Sequence, residues 1–263
     1  MGLEQEVQPD QYRLTLQYDG TGYAGWQAQP DRPTVEAALL RALTLATGER
    51  PLLVAAGRTD AGAHAHGQVV SLRLRRAWDP QRLQAACNAH LPEDIVVRRA
   101  ERVPSGFHAR FSALRRTYRY LVVADTVPAA VGRNYVWRVR GPLDLRLMRE
   151  TARAFEGRHD LRAFGQSPRP GGSTERTVHW VRIRRLGRQV CFEVCADAFL
   201  RGMLRSMVGA LVAVGEGRIP TSVVLGALNR AEVPRVPWPV APARGIHQWA
   251  VEYPDDDGRT ASW

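Results

Sequence analysis

The sequence predicts an α/β protein, of the α+β type, made of two βαββαβ-like halves whose sheets are mostly antiparallel. Segments such as YRLTLQY, residues 12–18, alternate apolar and polar side chains with the period of two typical of half-buried strands. Other segments place apolar residues at helical spacing behind a capping side chain. The order of segments in the first half also recurs, with a longer middle, in the second. Two related halves are therefore favoured, and two unrelated domains are the alternative.

Each element of the first half has its own signal. After YRLTLQY, Thr34 is suited to cap a helix over TVEAALLRALTLATG, whose apolar face includes Val35 and Leu39. PLLVAAG and GQVVSLRLR are the next predicted strands. A helix over DPQRLQAACNAHL has Asp79 as its cap and Pro80 as its first residue, and the strand DIVVRRAERV follows. The predicted order is βαββαβ.

The second half begins with the predicted strands RRTYRYLVV and NYVWRV and a helix over DLRLMRETARAFEG. A hairpin of TVHWVRIRRL and QVCFEVCADA turns near Leu186 and Gly187. The long apolar helix FLRGMLRSMVGALVAVGEG, the short helix TSVVLGALNR and the strand GIHQWAVEYP follow. We expect an N-terminal half at residues 1–110, which holds the loop GRTDAGAHAHGQ, a C-terminal half at 111–254, and a charged, disordered tail at 255–263.

The charge of the chain favours a polyanionic partner. Lysine and arginine total 37 against 26 aspartates and glutamates, a net charge of +11, and every one of these cations is an arginine. The guanidinium group binds phosphate with two parallel hydrogen bonds and stacks on flat rings, which suits nucleic acid. A compositional or high-temperature bias explains the missing lysines, but it explains the surplus of positive charge less well.

The three cysteines and the absence of long apolar runs indicate the compartment. Cys87, Cys191 and Cys195 are an odd number with no paired framework, which favours a reducing environment over secretion. No stretch has the pattern of a secretory signal or the length of a membrane span. We therefore expect a soluble, cytoplasmic protein without a membrane partner.

The loop GRTDAGAHAHGQ allows three interpretations. Asp60, His64 and His66 are residue types that bind zinc or iron, and side chains two apart on a strand share a face. Alternatively, Arg58 and Asp60 form an ion pair on a turn and the histidines are polar loop residues. In the third interpretation Asp60 is a nucleophile or base that the arginine keeps ionised, and the surrounding glycines let a substrate approach.

A second loop, YDGTGYAGWQAQP, is rich in glycine but matches no nucleotide-binding fingerprint. It lacks the GK[ST] ending, and no helix starts directly after its glycines. Its Tyr23, Trp26, Gln27 and Gln29 suit the bases and backbone of single-stranded or looped nucleic acid. A mobile connection between strand and helix is the alternative.

Seven segments can be compared with known families as a set, in chain order: YDGTGYAGWQAQ, TVEAAL, AGRTDAGAHAHGQV, NAHLPEDIVV, FHARFSALRRTYRY, GRHDLRAF and FLRGMLRSMVGALVAVGEG. Together they resemble the tRNA pseudouridine synthase A family, and the likeness runs from about Tyr12 to Pro254. The resemblance implies the pseudouridine synthase fold and an isomerase that needs no cofactor and no metal. The implied substrate is uridine at positions 38, 39 and 40 of the tRNA anticodon stem-loop, and the implied assembly is a homodimer.

The resemblance also implies roles for individual residues. Asp60 is the expected catalytic carboxylate, which attacks ribose C1′, adds to uracil C6 or helps to remove a ribose proton. Arg58 is expected to fill the space left by the flipped nucleotide, Tyr118 to stack on the uracil, and Arg205 to pair with Asp60. Ile246 replaces a leucine that packs near the target base. The candidate substrate-binding residues are Tyr118, Arg58, Gln27, His64 and Ile246.

Three positions depart from the family pattern, and other functions stay open. His247 and Gln248 follow Ile246 where the family has a leucine or aromatic run, and Ser206 replaces an asparagine that often follows the arginine. From the residues alone, Tyr118 could be a core residue of its strand and Arg205 a charge at the edge of an apolar helix. The alternative functions are a non-catalytic RNA-binding protein and a metal-dependent nuclease that uses Asp60, His64 and His66.

Overall fold

The computed structural model describes residues 10–228, 236–254 and 256, and within them it has ten strands and five α-helices. The strands are β1 Asp10–Tyr18, β2 Val54–Ala55, β3 His64–Leu74, β4 Ile95–Val103, β5 Arg115–Ala124, β6 Trp137–Val139, β7 Gly157–Asp160, β8 Glu175–Leu186, β9 Gln189–Ala196 and β10 Ile246–Glu252. The helices are α1 Val35–Thr47, α2 Pro80–Asn88, α3 Leu145–Ala152, α4 Met203–Gly215 and α5 Thr221–Leu228. Short 3₁₀ turns lie at Arg153–Phe155 and Ala243–Gly245.

The described residues of 1–114 and 250–263 form one compact unit. Strand β1 lies between β3 and β4 and is antiparallel to both, and β2 pairs with β3. Alternate β1 residues, including Leu14 and Leu16, are buried in a core that also contains Leu39 and Leu43 of α1. The order βαββαβ is confirmed for this unit.

Both predicted helix caps of the first unit are present. The Thr34 side chain accepts a hydrogen bond from the Ala37 amide, and the Asp79 side chain accepts one from the Arg82 amide at 2.9 Å. These bonds satisfy amides that have no partner within the first turn of a helix. Helix α1 ends at Thr47, and its C-cap Gly48 has a φ of 74°, the left-handed conformation that glycine adopts without strain.

Two strand boundaries in the first unit were predicted wrongly. PLLVAAG contains only a two-residue strand, because Leu52 is 83% exposed and pairing with β3 is limited to Val54 and Ala55. Strand β3 begins at His64 rather than Gly67, because the end of β1 continues the ladder as far as Ala65. The loop that contains Asp60 is therefore shorter than its polar sequence indicated.

Residues 115–249 form the second compact unit. Strand β5 is antiparallel to β9, β9 to β8 and β8 to β7, whereas the short β6 runs parallel to β5. The predicted hairpin of β8 and β9 is confirmed, and Gly187 in its turn has a φ of 58°. The mostly antiparallel α/β class is confirmed, and β10 lies where the chain passes from the second unit into the first.

Two predictions for the second unit were wrong in detail, and one strand was missed. Helix α4 begins at Met203, because its N-cap Gly202 has a φ of 77° and the preceding Arg201 forms two backbone hydrogen bonds with Gln166. The predicted strand NYVWRV is limited to Trp137–Val139. Strand β7, Gly157–Asp160, was not predicted, because it is only four residues long and has no apolar alternation.

Two further predictions concern the organisation of the chain. The division into an N-terminal half at 1–110 and a C-terminal half at 111–254 stays a prediction. The tail predicted at 255–263 lies outside the described residues except for Asp256, whose carboxylate pairs with Arg13 at 2.8 Å. No helix within the described part of the chain is both long and apolar enough to cross a membrane.

Candidate active site

The loop between β2 and β3, residues 56–63, presents the predicted catalytic carboxylate. Thr59 is buried, Asp60 is half-buried and Arg58 is exposed, so neighbouring side chains point alternately into the unit and towards solvent. The hydroxyl of Tyr18 lies 2.8 Å from Oγ1 of Thr59. The Ala63 amide donates to the carbonyl of Asp60 at 3.1 Å, which closes a turn behind the carboxylate. Hydrogen bonds therefore fix the backbone of the loop on which Asp60 lies.

The glycine-rich segment, residues 18–30, is hydrogen-bonded to this aspartate loop through its backbone. The Trp26 amide donates to the Thr59 carbonyl at 3.1 Å. In the other direction, the Gly62 amide donates to the Tyr23 carbonyl at 3.2 Å. These two bonds hold the residues on either side of Asp60, so the glycine-rich segment acts as a support for the aspartate loop.

Two glycines explain how the segments approach so closely. A Cβ atom on Gly20 would lie 1.9 Å from the carbonyl oxygen of Ala63. One on Gly25 would lie 2.7 Å from the carbonyl oxygen of Thr59, and Gly25 also has a φ of 98°. Any larger residue would force the backbones apart. Glycine is therefore required here by packing between two loops.

The aromatic residues of the glycine-rich segment are less available than the sequence indicated. Trp26 is only 2% exposed and its ring centroid lies 6.3 Å from that of Tyr18, so its indole is packed in the core of the unit. The Tyr23 hydroxyl donates to Asp94 Oδ1 at 2.6 Å, and burial, together with this bond, raises the pKa of Tyr23. Gln27 is exposed next to the buried tryptophan.

The two histidines that were predicted to lie in a loop, His64 and His66, lie at the start of β3. His64 is 3% exposed, and its Nδ1 lies 3.1 Å both from the Gly20 amide nitrogen, which donates to it, and from Asp19 Oδ1. His66 is half-buried. Within the described ranges, no three histidine, cysteine, aspartate or glutamate side chains are arranged to hold a metal ion, so the metal interpretation gains no support.

Tyr118 lies on β5 in the second unit. It is opposite Val194 of β9, on the same buried face as Tyr120 and Val122. Its ring meets the ring of Phe199 edge-on, with centroids 4.7 Å apart and planes at 67°. The sequence pointed to Tyr118 but not to Phe199, because the phenylalanine lies in the segment that was predicted to be helical. The edge-on contact fixes the orientation of the tyrosine ring.

Arg205 is the one residue of α4 that is not buried. Its Nε donates to the carbonyl of Ala241 at 2.6 Å, and its own carbonyl accepts from the Ala241 amide at 3.1 Å. The segment before Ala241 reaches the helix at Gly209, where a Cβ would lie 1.8 Å from the Pro239 carbonyl oxygen. The guanidinium group is therefore anchored at one edge by the backbone.

Two of the positions that depart from the family pattern, Ser206 and His247, have hydrogen-bond partners. Oγ of Ser206 accepts a hydrogen bond from Nε1 of the buried Trp238 at 3.0 Å. Ile246 is buried at the start of β10. Nε2 of His247 lies 3.0 Å from the carbonyl oxygen of Tyr135. The residues that differ here are therefore part of the packed interior of the second unit.

A basic and aromatic pair on the second unit was missed from the sequence. The guanidinium carbon of Arg119 lies 3.6 Å from the centroid of the Trp249 ring, and Nε of Arg119 donates to Glu193 at 2.9 Å. Arg119 and Glu193 are direct neighbours across β5 and β9. No sequence pattern joins residues 119, 193 and 249, because their strands are far apart along the chain.

The predicted site residues thus come from both units. Arg58 and Asp60 share one loop, His64 follows it, and Gln27 lies in the supporting segment. The second unit holds the remaining three, which are Tyr118 on β5, Arg205 on α4 and Ile246 on β10. Each unit therefore holds part of the predicted set of residues.

Comparisons with known proteins show the family of the chain. A family model described as tRNA pseudouridine synthase matches residues 15–112 and 151–254. The chain is similar to proteins named tRNA pseudouridine synthase A from Moorella thermoacetica, at 42% identity over 92% of this chain and 98% of the relative, and from Azorhizobium caulinodans, at 40% identity over 93% and 95%. A third, from Dinoroseobacter shibae, is 40% identical over 95% of this chain and 99% of its own length.

A solved structure described as a Cbf5-Nop10-Gar1 complex is similar over 76% of this chain and 53% of its own, with a TM-score of 0.31 and 14% identity. The α/β fold and the sequence matches define the class, that of RNA-modifying isomerases. The chain belongs to the tRNA pseudouridine synthase family, whose enzymes convert uridine into pseudouridine in tRNA.

Proposed function

We propose that this chain isomerises uridine at positions 38, 39 and 40 of the tRNA anticodon stem-loop, with the carboxylate of Asp60 as the catalytic group. The observation that best supports this role is that hydrogen bonds fix the backbone around Asp60. Backbone bonds hold its neighbours on both sides, and the carboxylate itself is half-buried. A carboxylate that is held still, and not fully in solvent, is suited to act on a bound nucleoside.

The reaction breaks the bond between uracil N1 and ribose C1′ and forms one between C5 and C1′. The C5 proton leaves and N1 gains a proton, so atoms and electrons balance without a cofactor. Asp60 acts at C1′, at C6 or on a ribose proton, and each of these routes needs an ionised carboxylate. We propose that Arg205, the half-exposed member of an otherwise buried helix, keeps Asp60 ionised once water is excluded.

The target base must leave the RNA stack before it can react. We propose that Arg58, which is exposed two residues before Asp60, fills the space that the base vacates. Tyr118 stacks on the flipped uracil, and its support is the edge-on contact with Phe199. The other proposed substrate contacts are made by Gln27, His64 and Ile246.

We also propose how the two halves of the chain share the reaction, how the chain assembles and in which compartment it acts. Residues 1–110 supply the catalytic aspartate, and residues 111–254 supply the stacking tyrosine and Arg205. The net charge of +11 supports a tRNA partner bound largely through its phosphates. The chain acts as a homodimer in the cytoplasm, and its three cysteines, all free and buried, are compatible with a reducing compartment.

The test maps pseudouridine in tRNA transcripts treated with wild type and with Asp60→Asn, which keeps the shape of the side chain and removes its charge. We expect modification at positions 38, 39 and 40 by wild type, and none by the variant although it still binds tRNA. Asp31→Asn is the matched control, because Asp31 is an exposed aspartate of the neighbouring loop with a φ of 56° that asparagine tolerates. Modification by Asp60→Asn at the wild-type rate would contradict the proposal.

A further inference from the structure

We infer that Tyr18 is a positioning residue for the reaction, because its hydroxyl fixes the backbone that carries Asp60. The inference rests on the proposed catalytic role of Asp60. Its basis is the hydrogen bond of 2.8 Å between the Tyr18 hydroxyl and Oγ1 of Thr59, the residue directly before the aspartate. Nothing in the sequence indicated this bond, since the alternation of β1 showed only that Tyr18 faces the core.

The bond lies where water does not compete with it. Tyr18 is 3% exposed and Thr59 is 8% exposed. A buried hydroxyl that loses its partner keeps the full cost of leaving water, so the pair is strongly favoured over any rotated arrangement. The geometry of Thr59 is therefore tied to the position of the tyrosine.

Tyr18 is itself held by the sheet. At the end of β1 it is paired with Ala65 of β3 on one side and with Ile95 of β4 on the other. Its ring packs with that of Trp26, with centroids 6.3 Å apart. The hydroxyl is thus placed by three strands and a core aromatic, which is the kind of support that keeps a site within the small tolerance that catalysis needs.

Thr59 is fixed at two points. Its side chain meets Tyr18, and its carbonyl accepts a hydrogen bond from the Trp26 amide at 3.1 Å. That carbonyl belongs to the peptide plane that leads into Asp60. With both the side chain and the plane held, the direction in which the Asp60 side chain leaves the backbone is set. When the tyrosine hydroxyl is removed, only the hydrogen bond from the Trp26 amide still holds Thr59.

The test compares Tyr18→Phe with Tyr12→Phe. Tyr12 is on the same strand and fully buried, and its hydroxyl bonds to the backbone of Trp78, with no bond to the aspartate loop. Both variants lose a buried hydroxyl and should lose similar stability. We expect Tyr18→Phe to lower kcat by roughly ten- to a hundred-fold with KM for tRNA unchanged, and Tyr12→Phe to leave both constants near wild type.

Substitutions at Thr59 provide the second measurement. Thr59→Ser keeps the hydroxyl and should retain kcat, whereas Thr59→Val removes it and should lower kcat as Tyr18→Phe does. The double variant Tyr18→Phe with Thr59→Val should be no slower than the slower single variant, because one interaction is lost in each case. Additive losses, or equal kcat for Tyr18→Phe and Tyr12→Phe, would overturn the inference.

Asp60→Asn, assayed alongside, separates the two claims. If Asp60→Asn is inactive while Tyr18→Phe has the wild-type kcat, only the positioning role fails. If Asp60→Asn is active, the catalytic role of Asp60 fails and the inference falls with it.

Discussion

The substitution Gly20→Ala tests whether the close packing of two loops sets the catalytic geometry. The added methyl group would lie 1.9 Å from the carbonyl oxygen of Ala63 and 2.7 Å from the carbonyl carbon. Both atoms belong to the backbone, so no side chain can rotate away. Nonbonded carbon atoms settle at about 3.5 Å or more from their neighbours, so the two loops must separate by about 1 Å or more.

The separation should reach Asp60, because the Ala63 amide is bonded to the Asp60 carbonyl at 3.1 Å. A misplacement of about 1 Å can cost on the order of a hundred-fold in rate, and overpacking costs about 1–3 kcal/mol of stability. We expect Gly20→Ala to lose kcat on that scale, measured by single-turnover release of tritium from tRNA labelled at uridine C5, and to unfold at lower urea concentration.

Gly22→Ala is the matched control for this experiment. Gly22 lies in the same loop, and a Cβ there would meet nothing within 4 Å. The kcat and the unfolding midpoint of Gly22→Ala should equal those of wild type. If Gly20→Ala turned over as fast as Gly22→Ala, the reasoning that loop packing places Asp60 would be refuted.

Three other predictions concern stability and thiol chemistry. The hydrogen bond from Arg162 lowers the pKa of Asp160 to about 2, so its stabilising effect is present above the ordinary carboxyl pKa and is lost as pH falls through about 2. Asp160→Asn should therefore cost about 1 kcal/mol at pH 7, discounted for solvent exposure, and nothing below pH 2, as measured by urea unfolding. Burial raises the pKa of the Cys87 thiol to about 12, so Ellman's reagent at pH 8 should modify it only as the protein unfolds. Ser206→Ala removes the acceptor of the Trp238 indole and should cost about 1–3 kcal/mol in the same unfolding assay.

Each of these three has a clear contrary result. Equal unfolding free energies of wild type and Asp160→Asn at pH 7 would show that the ion pair does not stabilise the fold. Labelling of Cys87 in the folded protein at the rate of a free thiol would contradict its burial. An unchanged unfolding midpoint in Ser206→Ala would show that the indole does not depend on the serine.

The local elements with their own start and stop signals were predictable from sequence. Thr34 and Asp79 cap α1 and α2 as predicted, because capping is an interaction of a side chain with amides two or three residues away. The alternation of apolar and polar residues in β1 predicted its buried face, because this pattern also depends only on neighbouring residues. Errors arose where a distant partner decides the boundary, as when β1 extends β3 back to His64.

The candidate site was predictable only in part. The aspartate loop and its residue types were evident from GRTDAGAHAHGQ. The sequence could not show that Trp26 would be buried or that Tyr18 would bond to Thr59, because both follow from packing between segments about forty residues apart. The role of the glycines was also hidden, since a phosphate loop and a loop packed on another backbone need the same residue.

We propose that Asp60 performs uridine isomerisation in tRNA without a metal ion. The most direct measurement is tritium release from unmodified tRNA transcript labelled at uridine C5, with wild type and Asp60→Ala, in excess chelator. We predict release by wild type and none by Asp60→Ala, with tRNA binding retained by both. Release by Asp60→Ala at the wild-type rate would remove Asp60 from its role. Binding without release by either protein would instead support an RNA-binding protein without this chemistry.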